Sequence, residues 1–211
     1  MKKYIILFLN NIMSFLGSIS SHILSINGFY VLRESKFRFH SAWISSAFLK
    51  CGRNLYIEYP IRLSGSEFIK IGDNFIANAR LRLEASYLLD NKPEILIGNN
   101  VNINFDCHIG CVNKISIGNN VLIASKVFIT DHGHGEIITS DLDNSPLDRK
   151  IISKGSVIIH DNVWIGQGVV ILSNVNIGEN SIIGANSVIT KDIPPNSVVA
   201  GCPAKIIRVL K

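Results

Sequence analysis

From Ile97 onward the apolar residues recur at a step of six. A half-buried strand would set a step of two and an amphipathic helix steps of three and four, so neither explains this pattern. Aliphatics stand at Ile97, Ile103 and Ile109, then at Ile117, Ile123 and Ile129, then at Ile159, Ile165, Ile171, Ile177, Ile183 and Ile189. Between them fall small and polar residues, as in Ile117-Gly118-Asn119-Asn120-Val121 and Ile177-Gly178-Glu179-Asn180-Ser181. A coil of short strands accounts for the period. If each hexapeptide is one strand plus a tight corner, every sixth aliphatic points inward at the same place, and successive coils stack these residues into columns. Gly and Asn suit the corners, where positive φ costs them least. Weaker coil sequence runs back through Ile69-Lys70-Ile71-Gly72-Asp73-Asn74 to about Cys51. The expected body is an all-β solenoid over 51–211, preceded by a different segment over 1–50.

That first segment is helical by pattern. Asn10, Asn11, Ser14, Ser18, Ser21, His22 and Ser25 recur at helical spacing, opposite Ile5, Phe8, Leu9, Ile12, Phe15, Leu16, Ile19, Ile23 and Ile26. An amphipathic helix or helix pair follows. It could lie in a membrane interface with Lys2, Lys3, Arg33, Lys36 and Arg38 near the headgroups, or dock on the rest of the protein or a neighbouring subunit. Lys2 and Lys3 before the apolar Tyr4 to Leu9 also imitate a secretory signal, but Asn10 and Asn11 interrupt that run early.

Composition sharpens the picture. The chain carries 35 Ile and 21 Asn among 211 residues, an excess of β-formers and of the non-Gly residue most tolerant of left-handed turns. With 47% hydrophobic and 18% charged residues, a disordered chain is excluded. The net charge of +5 is concentrated early, because eight basic residues up to Arg62 face only Glu34 and Glu58. This suggests an anionic neighbour such as a membrane face or a phosphorylated ligand, or simply a solvated basic face. Nucleic acid is not expected, since no aromatics interleave the basic residues in a recognised motif. Cys51, Cys107, Cys111 and Cys202 form no CxxC pair and read as reduced packing residues of a cytoplasmic protein. Cys107, His108 and Cys111 match no strong zinc spacing, so no metal is expected.

The six-step rhythm lapses between Ile129 and Ile159. There the chain makes a polar excursion through Asp131-His132-Gly133-His134-Gly135, Asp141, Asp143, Pro146, Arg149 and Lys150. A long loop leaving a rigid scaffold, here about 131–155, is where function tends to sit. By spacing alone His132 and His134 read equally well as exposed loop residues, and Trp164, in Asn162-Val163-Trp164-Ile165-Gly166, as packing.

These repeats resemble the hexapeptide-repeat acyltransferases, whose fold is a left-handed parallel β-helix of triangular section with three hexapeptides per turn. The hand comes from the resemblance, because ordinary crossovers are right-handed. The Asp-His-Gly-His stretch and the C-terminal Gly184-Ala185-Asn186-Ser187-Val188-Ile189-Thr190-Lys191-Asp192-Ile193-Pro194-Pro195 and Ala200-Gly201-Cys202-Pro203-Ala204-Lys205 narrow it to enzymes similar to maltose and galactoside O-acetyltransferases and to polysaccharide and lipopolysaccharide O-acetyltransferases. The resemblance implies an acetyl-CoA-dependent O-acetyltransferase acting on a sugar hydroxyl of a surface glycan. It implies a general-base histidine, with His134 placed ahead of His132 by counting corners and Asp131 orienting one of the rings. An imidazole suits the task because its pKa of about 6.5 lets it take a hydroxyl proton near neutral pH. Asn104 and Trp164 are implied at the acceptor, and Gln167, Ala185, Thr190, Lys191, Lys205 and Arg208 along coenzyme A. Gln167 and Lys205 stand where the galactoside enzymes have Ser and Arg. Val112 stands where they have an acidic acceptor-binding residue.

The resemblance further implies a homotrimer with sites between subunits and a saccharide acceptor, free, nucleotide-linked, lipid-linked or polymeric. The basic amphipathic N-terminus places the work at the inner face of the cytoplasmic membrane. N-acetylation of an amino sugar uses the same base and stays open. A γ-type carbonic anhydrase and a catalytically silent β-helix are the other readings of this fold.

Overall fold

The computed structural model describes residues 2–23, 25–90, 92–136, 138 and 143–210, with the side chains of 2–4 and 22–23 left aside. Asp141 of the excursion therefore lies outside the described residues. The chain divides into two compact units, Met1–Phe39 and His40–Lys211.

The first unit is helical. Helix α1 spans Lys2–Ile23, and α2 spans Ile26–Ser45, which carries it across the boundary into the second unit. Along α1 the apolar residues are exposed on every side, with Ile5, Ile6, Leu7, Phe8 and Leu9 each about half accessible. The last turn of α2 caps the second unit. Ser41 is fully buried there, its hydroxyl accepting the Ile57 N–H at 2.8 Å, and Ile44 and Phe48 join the core.

From Lys50 the chain winds as a parallel β-helix with three sheets. The coil that carries the excursion shows the plan: Lys114–Ile117 lies in the first sheet, Leu122–Ile123 in the second and Phe128–Thr130 in the third. Each strand pairs in parallel with its equivalents one coil before and after, Ile117 for example with Ile97 and Ile159. All twelve isoleucines of the six-step series are buried to 4% exposure or less. The solenoid expectation is met.

Sequence decides the corners. Between the first and second sheets stand Asn54, Asn74, Asn100, Asn120, Asn162, Asn180 and Asn196, each with φ between 55° and 59°. Each Nδ2 donates to the Oδ1 of the next at 2.8 to 3.1 Å, giving an unbroken amide ladder along one edge. One residue earlier, Asp73, Asn99, Asn119 and Asp161 each accept a backbone N–H from the preceding coil. At the C-terminal end the second sheet closes with an antiparallel pair, Ser197–Gly201 and Ala204–Val209.

The ladder predicts separable effects at Asn120. Asn120→Gly removes two amide hydrogen bonds. Asn120→Ala also imposes the left-handed penalty of about 1–2 kcal/mol per residue, and urea unfolding should resolve that difference between the two variants.

Candidate active site

The chain that passes from Ile109 to Ile115 in one short corner leaves the coil at Asp131 in the next turn and resumes only at Val157. The excursion is pinned at its base by an antiparallel pair, Gly133–His134 with Ile151–Ile152, and by the Gly135 N–H donating to the Lys150 carbonyl at 2.9 Å.

Asp131 sits at the departure point and is fully buried. Its carboxylate accepts the backbone N–H of Val112 at 2.9 Å and of Asn113 at 2.8 Å, and the Cys111 thiol at 3.2 Å. Its other contact is with a histidine: Oδ1 lies 3.1 Å from His132 Nδ1. Burial by itself would raise this carboxyl, but the bonds from His132, Val112, Asn113 and Cys111 outweigh it and hold the group below its ordinary value. The same burial, with the carboxylate beside it, pushes the Cys111 thiol far up, so Cys111 stays a neutral donor.

An ionised Asp131 fixes His132 as the Nδ1–H tautomer and leaves Nε2 as the basic nitrogen. Thr130 steadies the turn, its Oγ1 lying 3.2 Å from Nδ1 and accepting the His132 backbone N–H at 3.3 Å. His134 differs. It is exposed on the short strand and makes no ion pair or side-chain hydrogen bond among the described residues. Both histidines line a cavity of about 350 Å³ with Ile152, Lys154, Leu172 and Thr190. Of these, sequence reasoning named only the histidines and Thr190. A larger hollow of about 500 Å³ lies beside His160, Asn176 and Asp192 and holds neither histidine of the excursion.

The other named residues fall into two sets. Thr190 and Lys191 follow the strand Val188–Ile189 of the third sheet, so they share the corner of His132. Asn104, Gln167 and Ala185 occupy the corner between the second and third sheets. There the Asn104 Oδ1 accepts Asn78 Nδ2 at 2.8 Å. Gly166 lets these coils close up, because a Cβ on it would stand 2.7 Å from the Ala185 nitrogen. Trp164 is half exposed on the outer face of the second sheet, in register between Leu122 and Ile182. Lys205 and Arg208 lie exposed on the terminal strand of that sheet. Within one chain, then, Trp164 and Asn104 are not beside His132: the six-residue step sends them to a different face and corner.

Cys107, His108 and Cys111 do not converge either. Both thiols are buried and bond to Ala124 O and to Asp131, whereas His108 points outward to Glu84. Among the described residues no group of three His, Cys, Asp or Glu is placed to hold a metal ion.

Residues 156–191 match the family model for bacterial transferase hexapeptide repeats. Over 155 residues the chain is 39% identical to WbbJ of Escherichia coli, a protein named for O-acetyl transfer in lipopolysaccharide biosynthesis, covering 72% of this chain and 77% of that one. A solved galactoside acetyltransferase in complex with coenzyme A is 34% identical with a TM-score of 0.52, over 81% of this chain and 69% of that one. The N-acyltransferase AntD of Bacillus cereus superposes with a TM-score of 0.68 at 21% identity, over 82% of this chain and 89% of that one, and shares the fold.

The buried carboxylate predicts an acid limit. A carboxyl whose folded pKa is depressed adds stability above its unfolded value of about 4 and loses it as pH falls through the folded value. Asp131→Asn should therefore melt below the wild type at pH 7, and the gap between their melting temperatures should close as pH falls below about 4.

Proposed function

This chain belongs to the hexapeptide-repeat acetyltransferases, and from that premise we propose that His132, held by Asp131, is the general base of its reaction. The enzyme is an acyltransferase of left-handed β-helix fold that moves the acetyl group of acetyl-CoA to a sugar hydroxyl. The buried Asp131–His132 dyad opening on a cavity shared with Thr190 carries the assignment. A neutral imidazole with Nδ1 committed to a carboxylate presents Nε2 to an acceptor hydroxyl. As that hydroxyl oxygen bonds to the thioester carbonyl carbon, its proton passes to Nε2. The C–S bond breaks and the same proton goes on to the coenzyme A sulfur, so no covalent enzyme intermediate is required. We favour His132 over His134, the residue that counting corners put first, because Asp131 lies 3.1 Å from the His132 ring and no carboxylate among the described residues pairs with His134.

The acceptor is a saccharide unit of a surface glycan, in keeping with the lipopolysaccharide role for which the relative WbbJ is named. Coenzyme A runs past Thr190 and Lys191, with Gln167, Ala185, Lys205 and Arg208 drawn from another copy. The split of these residues between two corners supports a trimer in which the His132 corner of one subunit meets the Asn104 and Trp164 side of the next. The helical unit is a peripheral anchor on the inner face of the cytoplasmic membrane. Support comes from the exposed apolar residues of α1 and from Arg33, Lys36 and Arg38 on α2. No single helix among the described residues is long and apolar enough to cross a membrane.

Thiol release from acetyl-CoA across a saccharide panel tests the chemistry. His132→Ala should lower acceptor-dependent release roughly 10²–10⁴-fold, the usual worth of a general base, while His134→Ala keeps most of it; the opposite result would restore His134. Mixing His132→Ala subunits with Asn104→Ala subunits should recover activity if sites are shared. The anchor is checked by flotation of the full chain with phosphatidylglycerol vesicles. Phe8→Asp with Phe15→Asp should leave the protein unbound, and equal flotation of the double variant would sink the anchor.

A further inference from the structure

A second histidine–carboxylate pair stands beside the first. On the outer face of the third sheet, one coil before Thr130, His108 Nε2 lies 2.9 Å from Glu84 Oε2. Glu84 is held in turn by Arg62 at 2.6 Å and Arg82 at 2.9 Å, and its side chain is only 14% exposed. The His108 ring rests against Phe128, with centroids 5.0 Å apart. Nothing in the chemistry described so far uses this group.

Gly110 separates the two imidazoles. It shares the outer face with His108 and pairs in register with Thr130 and Glu84. A Cβ placed on it would lie 3.3 Å from His108 Nε2 and 3.5 Å from His132 Cε1. Even one methyl group would press on both rings, so the two imidazoles stand close on either side of the buried Gly110. His108 Nδ1 makes no hydrogen bond among the described residues and is not among the buried unpartnered atoms, so it is open to a ligand. Burial first, and then Arg82, keep this imidazole below the ordinary histidine range against the pull of Glu84, which favours a neutral ring whose Nε2–H donates to Glu84 and whose Nδ1 accepts.

Position gives the pair its meaning. Leu172 and Thr190, which line the His132 cavity, belong to coils after the excursion, on the side assigned to coenzyme A. His108, Gly110 and Glu84 belong to coils before it. Along the coil axis His132 stands between them, with His108 on the side away from Thr190. Beyond His108 the surface continues as a groove of about 400 Å³ along Pro60, Arg62, Arg80, Arg82 and Asp106, with room for further sugar units.

We propose that His108, oriented by Glu84, binds the saccharide acceptor, taking a hydrogen bond at Nδ1 from a hydroxyl neighbouring the one that His132 deprotonates. The proposal rests on the acetyltransferase reading and on His132 as base, and adds the acceptor subsite. His108 touches substrate, and Glu84 acts through it as a positioning residue.

Saturation-transfer NMR on the coenzyme A-loaded enzyme tests binding without turnover. The probes are the methyl glycosides of glucose, galactose, mannose, rhamnose and N-acetylglucosamine. A signal that falls at least fivefold in His108→Ala, falls likewise in Gly110→Ala, and returns in part in His108→Gln supports the subsite. Gly110→Ala crowds both rings, and its melting temperature is measured beside the binding signal to separate a loss of fold from a loss of the subsite. Calorimetric acetyl-CoA affinity should be unchanged in all three variants. Intact acetyl-CoA binding with saccharide signals that ignore His108, or with none, overturns the subsite alone; a wild type that fails to bind acetyl-CoA removes the acetyltransferase reading and the subsite with it.

Discussion

Everything in this solenoid depends on stacked corners that turn the chain at a fixed six-residue interval. A corner repeated at the same height must place its residue in the left-handed region and satisfy its polar groups against the coils above and below. Asparagine does both. Its side chain tolerates positive φ, and seven corner asparagines are joined by six amide hydrogen bonds, so one residue type supplies the turn and the link between turns. With that edge fixed, the aliphatic at each sixth position has only the interior to face, and twelve isoleucines form columns of a dry core. Register errors are expensive here, since a one-residue slip would turn every column outward and set the ladder out of step.

A scaffold this regular cannot by itself make an asymmetric site. The break at Asp131 does so by using what the coil leaves over. Where the chain departs, the Val112 and Asn113 N–H groups of the preceding corner have no following coil to bond, and the Asp131 carboxylate takes both. The bonds that repair the interrupted ladder also hold the carboxylate ionised and aimed at His132. Structural repair and orientation of the His132 ring are one arrangement. The dyad accordingly sits at the first residue pair of the excursion, whereas His134 farther out has only its strand partner among the described residues.

The fold was legible because its cause is local. A six-step series and Asn or Gly at fixed offsets are visible in any stretch of 97–129 or 159–189, and the buried series follows them position by position. Much of the site was less so. Asp131, His132, His134 and Thr190 stood out as polar residues at the break or through family resemblance, but which imidazole is held depends on a carboxylate whose direction is set by N–H groups about twenty residues earlier. Counting corners put His134 first by continuing the six-step count past Ile129, whereas the carboxylate at the point where the chain leaves the coil meets His132. Lys154 and Leu172 meet His132 only through coil stacking. Glu84 and His108 are neighbours only through the pairing of their strands.

The same stacking argues that one chain is an incomplete catalyst. Any residue at one phase of the hexapeptide is confined to one corner at every coil, so residues from two phases are held a full sheet width apart whatever their sequence. His132, Thr190 and Lys191 share one phase, whereas Asn104, Gln167 and Ala185 share another. No loop closure or side-chain rotation within a rigid prism can bring the two edges together. If both sets serve one reaction, the second set comes from another copy, and a rotation about an axis parallel to the coil stack is the operation that brings unlike corners of identical prisms face to face. On that condition the exposed column of Leu122 and Trp164 on the second sheet has a reason to be apolar, and the need for a second copy follows from hexapeptide phase, independent of any one contact.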